Sequence, residues 1–237
     1  MSGHSKWSQI KRKKGIKDQQ KGQLFSKIAR LITLTVLDGG GMTDPEHNIR
    51  LRMAIEKAKE ANMPKENIKR AIEKGTGPDK EQLHEVIYEA FGPKGVVFLI
   101  QATTDNPNRT INEIKKILER VGGKIGNQGA VSYLFRKCAI VTFNKKENKE
   151  EDVFSLADKI QAFDIDEDEN LFSVYFPFEN LGKVKDAEVD YKPTSYVKID
   201  NQEDARKILN LMEALEEQDD VQKVFSNFDI PDKFLIS

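Results

Sequence analysis

The apolar residues of this chain keep two different periods, and the change falls at Gly75-Thr76-Gly77-Pro78. Before it they recur every three or four residues, the spacing of one helical face; after it, short runs of Val, Ile and Phe alternate with helical stretches. The class this predicts is α+β: an N-terminal three-helix bundle followed by two small open α/β sandwiches of ferredoxin-like type, with helices on one sheet face.

In the first part, Leu24, Ile28, Leu31, Ile32 and Thr35 or Val36 share a face until Gly39-Gly40-Gly41 stops the helix. Asp44 is the expected N-cap of a second helix, with Pro45 at its first position and Ile49, Met53 and Ala54 inward. A third opens at Met63-Pro64, carries Ile68, Ala71 and Ile72 inward, and closes at Gly75. In the second part, Val86–Phe91 and Val96–Thr103 form a hairpin about Gly92-Pro93-Lys94-Gly95. Asn106-Pro107 opens a helix with Ile111, Ile114, Leu118 and Val121 on one side, ended by Gly122-Gly123. Strands are expected at 130–135, 139–143, 171–176, near Val189, 196–199 and 221–225, and helices at about 150–163, 178–185 and 202–217, the last capped by Asn201.

A formal net charge of −1 hides a dipole. Residues 1–75 hold seventeen basic against eight acidic side chains, and the remainder twenty-one against thirty-one. The first thirty residues carry nine Lys or Arg, a single acid, Asp18, and the only tryptophan. Clustered cations release condensed counterions from a phosphate backbone, so this block points to a polyanion. The candidate nucleic-acid contacts are His4, Lys6, Trp7, Lys11, Arg12, Lys13, Lys14, Lys17, Lys21, Lys27 and Arg30. Lys and Arg would meet phosphates, and an exposed Trp7 would stack on unpaired bases. The competing readings are a solvated tail and a Trp7 that anchors the arm to the body. Lys65, Lys69, Arg70 and Lys74 read as an ordinary solvated helix face.

Other chemistries find little support. The longest unbroken apolar run is Val96–Ile100, far short of a membrane span, and the basic start leads into no apolar signal segment. The lone Cys138 lies in a strand-like run and reads as a buried, inert thiol in a reducing cytoplasm. His4, His47 and His84 share no metal-ligand spacing. Asp164-Ile165-Asp166-Glu167-Asp168 begins like a calcium loop but has Glu169 where the turn needs Gly and Tyr175 where a bidentate Glu belongs. Gly122-Gly123-Lys124 is followed by Ile125, not Ser or Thr. The expectation is a protein that is no enzyme, with no metal, cofactor, small-molecule substrate or membrane.

Several blocks resemble the YebC/PmpR family: Gly3-His4-Ser5-Lys6-Trp7, Ile10-Lys11, the Gly39–Gly41 turn, Asn48-Ile49-Arg50-Leu51-Arg52, and 62–68 from Asn62-Met63-Pro64 onward. So do Arg70-Ala71-Ile72, Lys74-Gly75, Thr104-Asp105-Asn106, Asn108-Arg109-Thr110, Gly122-Gly123, Ser132-Tyr133-Leu134-Phe135, Ala214-Leu215 and Asp219-Asp220-Val221. Residues 144–193 fit more loosely. The resemblance implies a three-domain protein in which one α/β domain interrupts the other: a basic arm (1–22), a bundle (23–76), a discontinuous domain (77–136 with 201–237) and an insert (137–200). Bacterial members are described as transcriptional regulators that bind DNA. Mitochondrial relatives look like translational activators, and some bacterial members are linked to the ribosome and to relief of stalled elongation. The motif starts at residue 2–3, which leaves no room for a transit peptide and implies a bacterial, cytoplasmic member. The expected function is therefore a nucleic-acid-binding regulator of gene expression, acting on duplex DNA as a transcriptional regulator. The alternative is a ribosome-associated translation factor that binds ribosomal or transfer RNA. No helix-turn-helix with an obvious base-reading helix stands out.

Overall fold

The computed structural model describes residues 18–76 and 82–234. Helix α1 (Asp18–Asp38) is the axis of the first part, with α2 (Ile49–Glu60) and α3 (Lys65–Lys74) packed on it. The expected stripe is there, since Ile28, Ile32 and Val36 meet Leu51, Ala54, Ile68 and Ala71. Burial goes further, however: Ile32, Thr33, Leu34, Thr35 and Val36 are all buried, because strand β2 covers the side that α2 and α3 leave open. The two threonines are tolerated there because their hydroxyls donate to carbonyls, Thr33 to Ala71 (2.8 Å) and Thr35 to Ile32 (2.8 Å). Gly75 lets α3 end against α1: a Cβ there would lie 2.7 Å from Val36 Cβ.

The second helix starts later than the Asp44-Pro45 signal implies. Its cap is Asn48, whose Oδ1 accepts from Leu51 N–H (3.0 Å) while its Nδ2 donates to the Thr35 carbonyl (2.9 Å). Asp44 caps a single turn instead, accepting from Glu46 N–H (2.9 Å). Asn48 wins because it satisfies a helix end and ties the loop to α1 at once.

Strands β1 (His84–Phe91) and β2 (Val97–Thr104) form the expected hairpin, in register from His84↔Thr104 to Phe91↔Val97. Gly95 (φ 81°) and Lys94 (φ 60°) make its tight turn. Helix α4 (Pro107–Glu119) leads to the short β3 (Lys124–Ile125) on the edge of β1. Strand β4 runs from Phe135 to Asn144, one strand where two short ones were expected; residues 132–134 are a 3₁₀ turn. It belongs to a second sheet with β5 (Asp164–Glu167), β6 (Leu171–Pro177) and β7 (Glu188–Pro193), in the order β5-β6-β4-β7. Helix α5 (Glu150–Lys159) connects β4 to β5. With β6 between β4 and β5, this is the split β-α-β of ferredoxin-like units, although its second crossover is only the 3₁₀ segment Phe178–Lys183.

The chain then returns. After β8 (Val197–Lys198), helix α6 (Gln202–Glu217) and β9 (Val221–Ser226) complete the first sheet, in the order β3-β1-β2-β9, while β10 (Phe228–Asp229) pairs with β8. The first sheet opens with a hairpin between its two central strands, so its connection is not the ferredoxin-like one. Its helix-facing side buries Phe98, Ile100, Ala102 and Val224 under Ile114, Leu118, Ile208, Met212 and Leu215. Its other side, Val97, Leu99 and Phe225, lies under Val131, Phe135 and Tyr191. Alternate residues of β2 thus serve two cores, which is why this run reads as continuously apolar.

Candidate nucleic-acid interface

His4, Lys6, Trp7, Lys11, Arg12, Lys13, Lys14 and Lys17 lie outside the described residues. Lys21, Lys27 and Arg30 follow on α1, Lys21 exposed in the segment where the helix begins. The other two flank the apolar stripe and turn inward. Lys27 Nζ donates to the Glu216 carbonyl and to that of Val221 (2.6 Å); Arg30 donates to the Asp219 carbonyl (2.7 Å) and to Asp220 Oδ1 (2.6 Å). They meet the C-terminus of α6, whose last carbonyls lack intrahelical partners and whose last turn holds no basic residue of its own. A different helix supplies the missing cation.

Asp220 is the centre of this joint. Only 2% exposed, it takes Arg30 on one oxygen and, on the other, Arg109 (2.8 Å), Thr110 Oγ1 (2.6 Å) and Thr104 Oγ1 (3.1 Å). Arg109 also holds Asp105 (2.7 Å), and Asn106 caps α4 by accepting from Arg109 N–H (3.1 Å). Burial alone would raise the Asp220 pKa, but Arg109, Thr110 and Arg30 bring it below the usual aspartate value. Three of the blocks that carry the family resemblance, at 104–106, 108–110 and 219–221, therefore converge on one carboxylate. Sequence reasoning gave them no role; the available signal was an acid at the mouth of an otherwise apolar strand.

Further cations of the bundle bind the β units. Arg50 bridges Asp38 (2.7 Å) and Glu85 (3.2 Å), and Lys57 meets Glu188 (3.2 Å), which also takes Lys223 (3.3 Å). Lys223 and Lys57 hold the Glu188 carboxyl well below the ordinary range. On the outward face of α3, Lys65, Lys69, Arg70 and Lys74 are exposed, with Glu66 and Glu73 among them. The four-residue connection from α2 to α3, with Asn62 at φ 57°, has the length of a helix-turn-helix turn, but the face it presents is of mixed sign.

The acids of the 164–168 run and Cys138 have structural partners. Asp164 and Asp166 pair with the buried Lys192 (2.8 and 3.3 Å), and Asp168 caps a turn through Leu171 N–H (2.7 Å). Cys138 is fully buried, and burial, with Asp190 beside it, pushes its thiol up to about 12.

Two family models match this chain: the TACO1/YebC protein N-terminal domain over residues 5–78, and the TACO1/YebC second and third domain over residues 83–228. The chain belongs to the TACO1/YebC family. Among its relatives are proteins named probable transcriptional regulatory protein from Aquifex aeolicus and from Persephonella marina, each 44% identical over 99% of this chain and 98% of theirs. The crystal structure of a conserved hypothetical protein from Aquifex aeolicus is similar over 91% of this chain and 93% of that one, with a TM-score of 0.83 and 43% identity. The helix–sheet architecture is thus that of a TACO1/YebC protein along nearly its whole length. Among the described residues, no helix of this family member is long and apolar enough to cross a membrane.

Proposed function

We propose that this chain is a nucleic-acid-binding regulator of gene expression that acts on DNA through its basic N-terminal segment. The observation that carries the reading is the division of labour among the cations. Lys27 and Arg30 are engaged within the chain and fix α1 on the acidic body, whereas the cations that precede α1 come in a run interrupted by no acid before Asp18. A rigid joint below a basic segment gives phosphate contacts a defined origin. The name carried by the relatives, probable transcriptional regulatory protein, supports the same reading. The mixed sign of the α3 face favours backbone contacts over base readout, so discrimination among duplex sequences should be weak, well under the about 10³-fold typical of specific sites.

The test is to remove residues 1–17, which leaves α1 entire, and to titrate both proteins with duplex DNA at several salt concentrations. Six cations lie in that segment. If they neutralise about six phosphates, log K for the full chain falls against log salt with a slope near −5. Equal binding by the truncated chain, or a slope near zero, would overturn the reading.

A further inference from the structure

Around Val97, Leu99 and Phe225 the second side of the first sheet is closed by the segment 126–135 together with Tyr191 of β7, and one carboxylate holds that segment in place. Glu89, buried in β1, accepts from the backbone N–H groups of Gly129 (2.7 Å), Val131 (2.6 Å) and Ser132 (2.9 Å), while its carbonyl takes Gly126 N–H (2.7 Å). Burial works to raise its pKa, but these N–H groups outweigh burial and keep it below the usual value. A buried charge is spent on the shape of one loop. Outward, that loop presents Asn127, Gln128 and Ser132, all exposed, and next to them Tyr133, whose 72% exposure exceeds that of every other large apolar side chain among the described residues.

The stretch of chain that carries the loop is basic. From Arg120 to Lys146 there is no acid and there are six cations, in a part of the chain where acids otherwise prevail. Arg136 and Lys137 follow Tyr133 by three and four residues, within about 14 Å along the chain. Both are exposed, and no carboxylate among the described residues forms an ion pair with either. Aromatic rings hold them instead: the Arg136 guanidinium lies 3.7 Å over the Phe163 ring, and Lys137 Nζ 4.2 Å over that of Phe178. An exposed ring on a fixed backbone, with a cation within reach on the adjoining strand, is the make-up of a platform on which bases stack. A lone tyrosine is too small for a protein interface, which needs about 800 Å² on each side.

We propose that Tyr133, on the loop held by Glu89, is a second nucleic-acid contact, taking an unpaired base on its ring while one of Arg136 and Lys137, which as neighbours in β4 point to opposite faces of the second sheet, meets an adjacent phosphate. Its ligand class is single-stranded nucleic acid, because a base stacked within a duplex offers no free face. The inference rests on the nucleic-acid-binding reading above but uses none of the residues of the basic segment.

Two measurements on the full chain test it. Tyr133→Ala should weaken binding of short single strands, RNA or DNA, by about 5- to 100-fold, leave duplex binding within about twofold, and be rescued by Tyr133→Phe. In a Trp7→Phe, Tyr133→Trp chain, the single tryptophan should be quenched when a single strand is added. Quenching by RNA alone, by DNA alone or by both supports the site and identifies its ligand. If Tyr133→Ala leaves single-strand binding unchanged, or weakens duplex and single strand alike, the site is refuted while the basic-segment reading stands. If the full chain binds no nucleic acid at all, both fall.

Discussion

Removing the Asp220 carboxylate should loosen the bundle from the first sheet, and the size of the effect follows from its partners. Loss of one partner of a fully buried ion pair costs about 3–5 kcal/mol, because the other charge is stranded. Here the acid is buried, but the Arg30 and Arg109 side chains are 28% and 42% exposed and can recover water. The threonine hydroxyls also keep company after the change, Thr110 Oγ1 lying 2.8 Å from Thr104 Oγ1 and 3.2 Å from the Asn106 carbonyl. Asp220→Ala should therefore cost about 2–4 kcal/mol, a fall in Tm of about 10 °C for a chain of this size. Arg30→Ala alone should cost about 1–2 kcal/mol, and clearly less when Asp220 is already Ala and only the Asp219 carbonyl bond remains, a coupling of about 1 kcal/mol. The assay is thermal unfolding of the four proteins by circular dichroism. The folded pKa of Asp220 is depressed, so its contribution is complete above the unfolded value of 3.8 and is lost as pH falls through the lower, folded one. The gap between wild type and Asp220→Asn should thus hold from pH 7 to about 5 and narrow only in stronger acid. A Tm shift under about 2 °C, or an Arg30→Ala cost equal in both backgrounds, would refute the clamp and return Arg30 to the pool of phosphate contacts.

Two further outcomes can be checked directly. Glu89→Gln leaves one acceptor oxygen for three backbone donors, so the loop should lose about 2 kcal/mol and the Gly129, Val131 and Ser132 amides should exchange about 30-fold faster by NMR, with β1–β2 amides unaffected; unchanged exchange would show that the carboxylate does not hold the loop. Cys138, fully buried and with its thiol pushed up to about 12, should resist alkylation at pH 8 in the native protein and react only in denaturant; prompt modification of the folded chain would contradict the packing of β4 on β7.

Much of the fold was legible residue by residue because it rests on local rules. The three helices around Ile28, Ile32, Ile68 and Ala71, the hairpin at Gly92–Gly95 and the Asn201 cap, which accepts from Asp204 N–H (2.8 Å), follow from period, turn chemistry and capping. The basic character of the N-terminal segment and the kinship with one family are likewise properties of the sequence alone. Tertiary structure decided which residue serves which neighbour. Asp44 and Asn48 are both competent caps, and only the nearby Thr35 carbonyl favours the second. Lys27 and Arg30 look like the cations before them until the C-terminus of α6, some 190 positions away, is brought against α1. Glu89 reads as one acid on a strand until residues 129–132 fold over it. Period and propensity act over a few residues, whereas the partner of a charge depends on which distant backbone groups the packed chain places within 3 Å, and only the whole fold sets that distance.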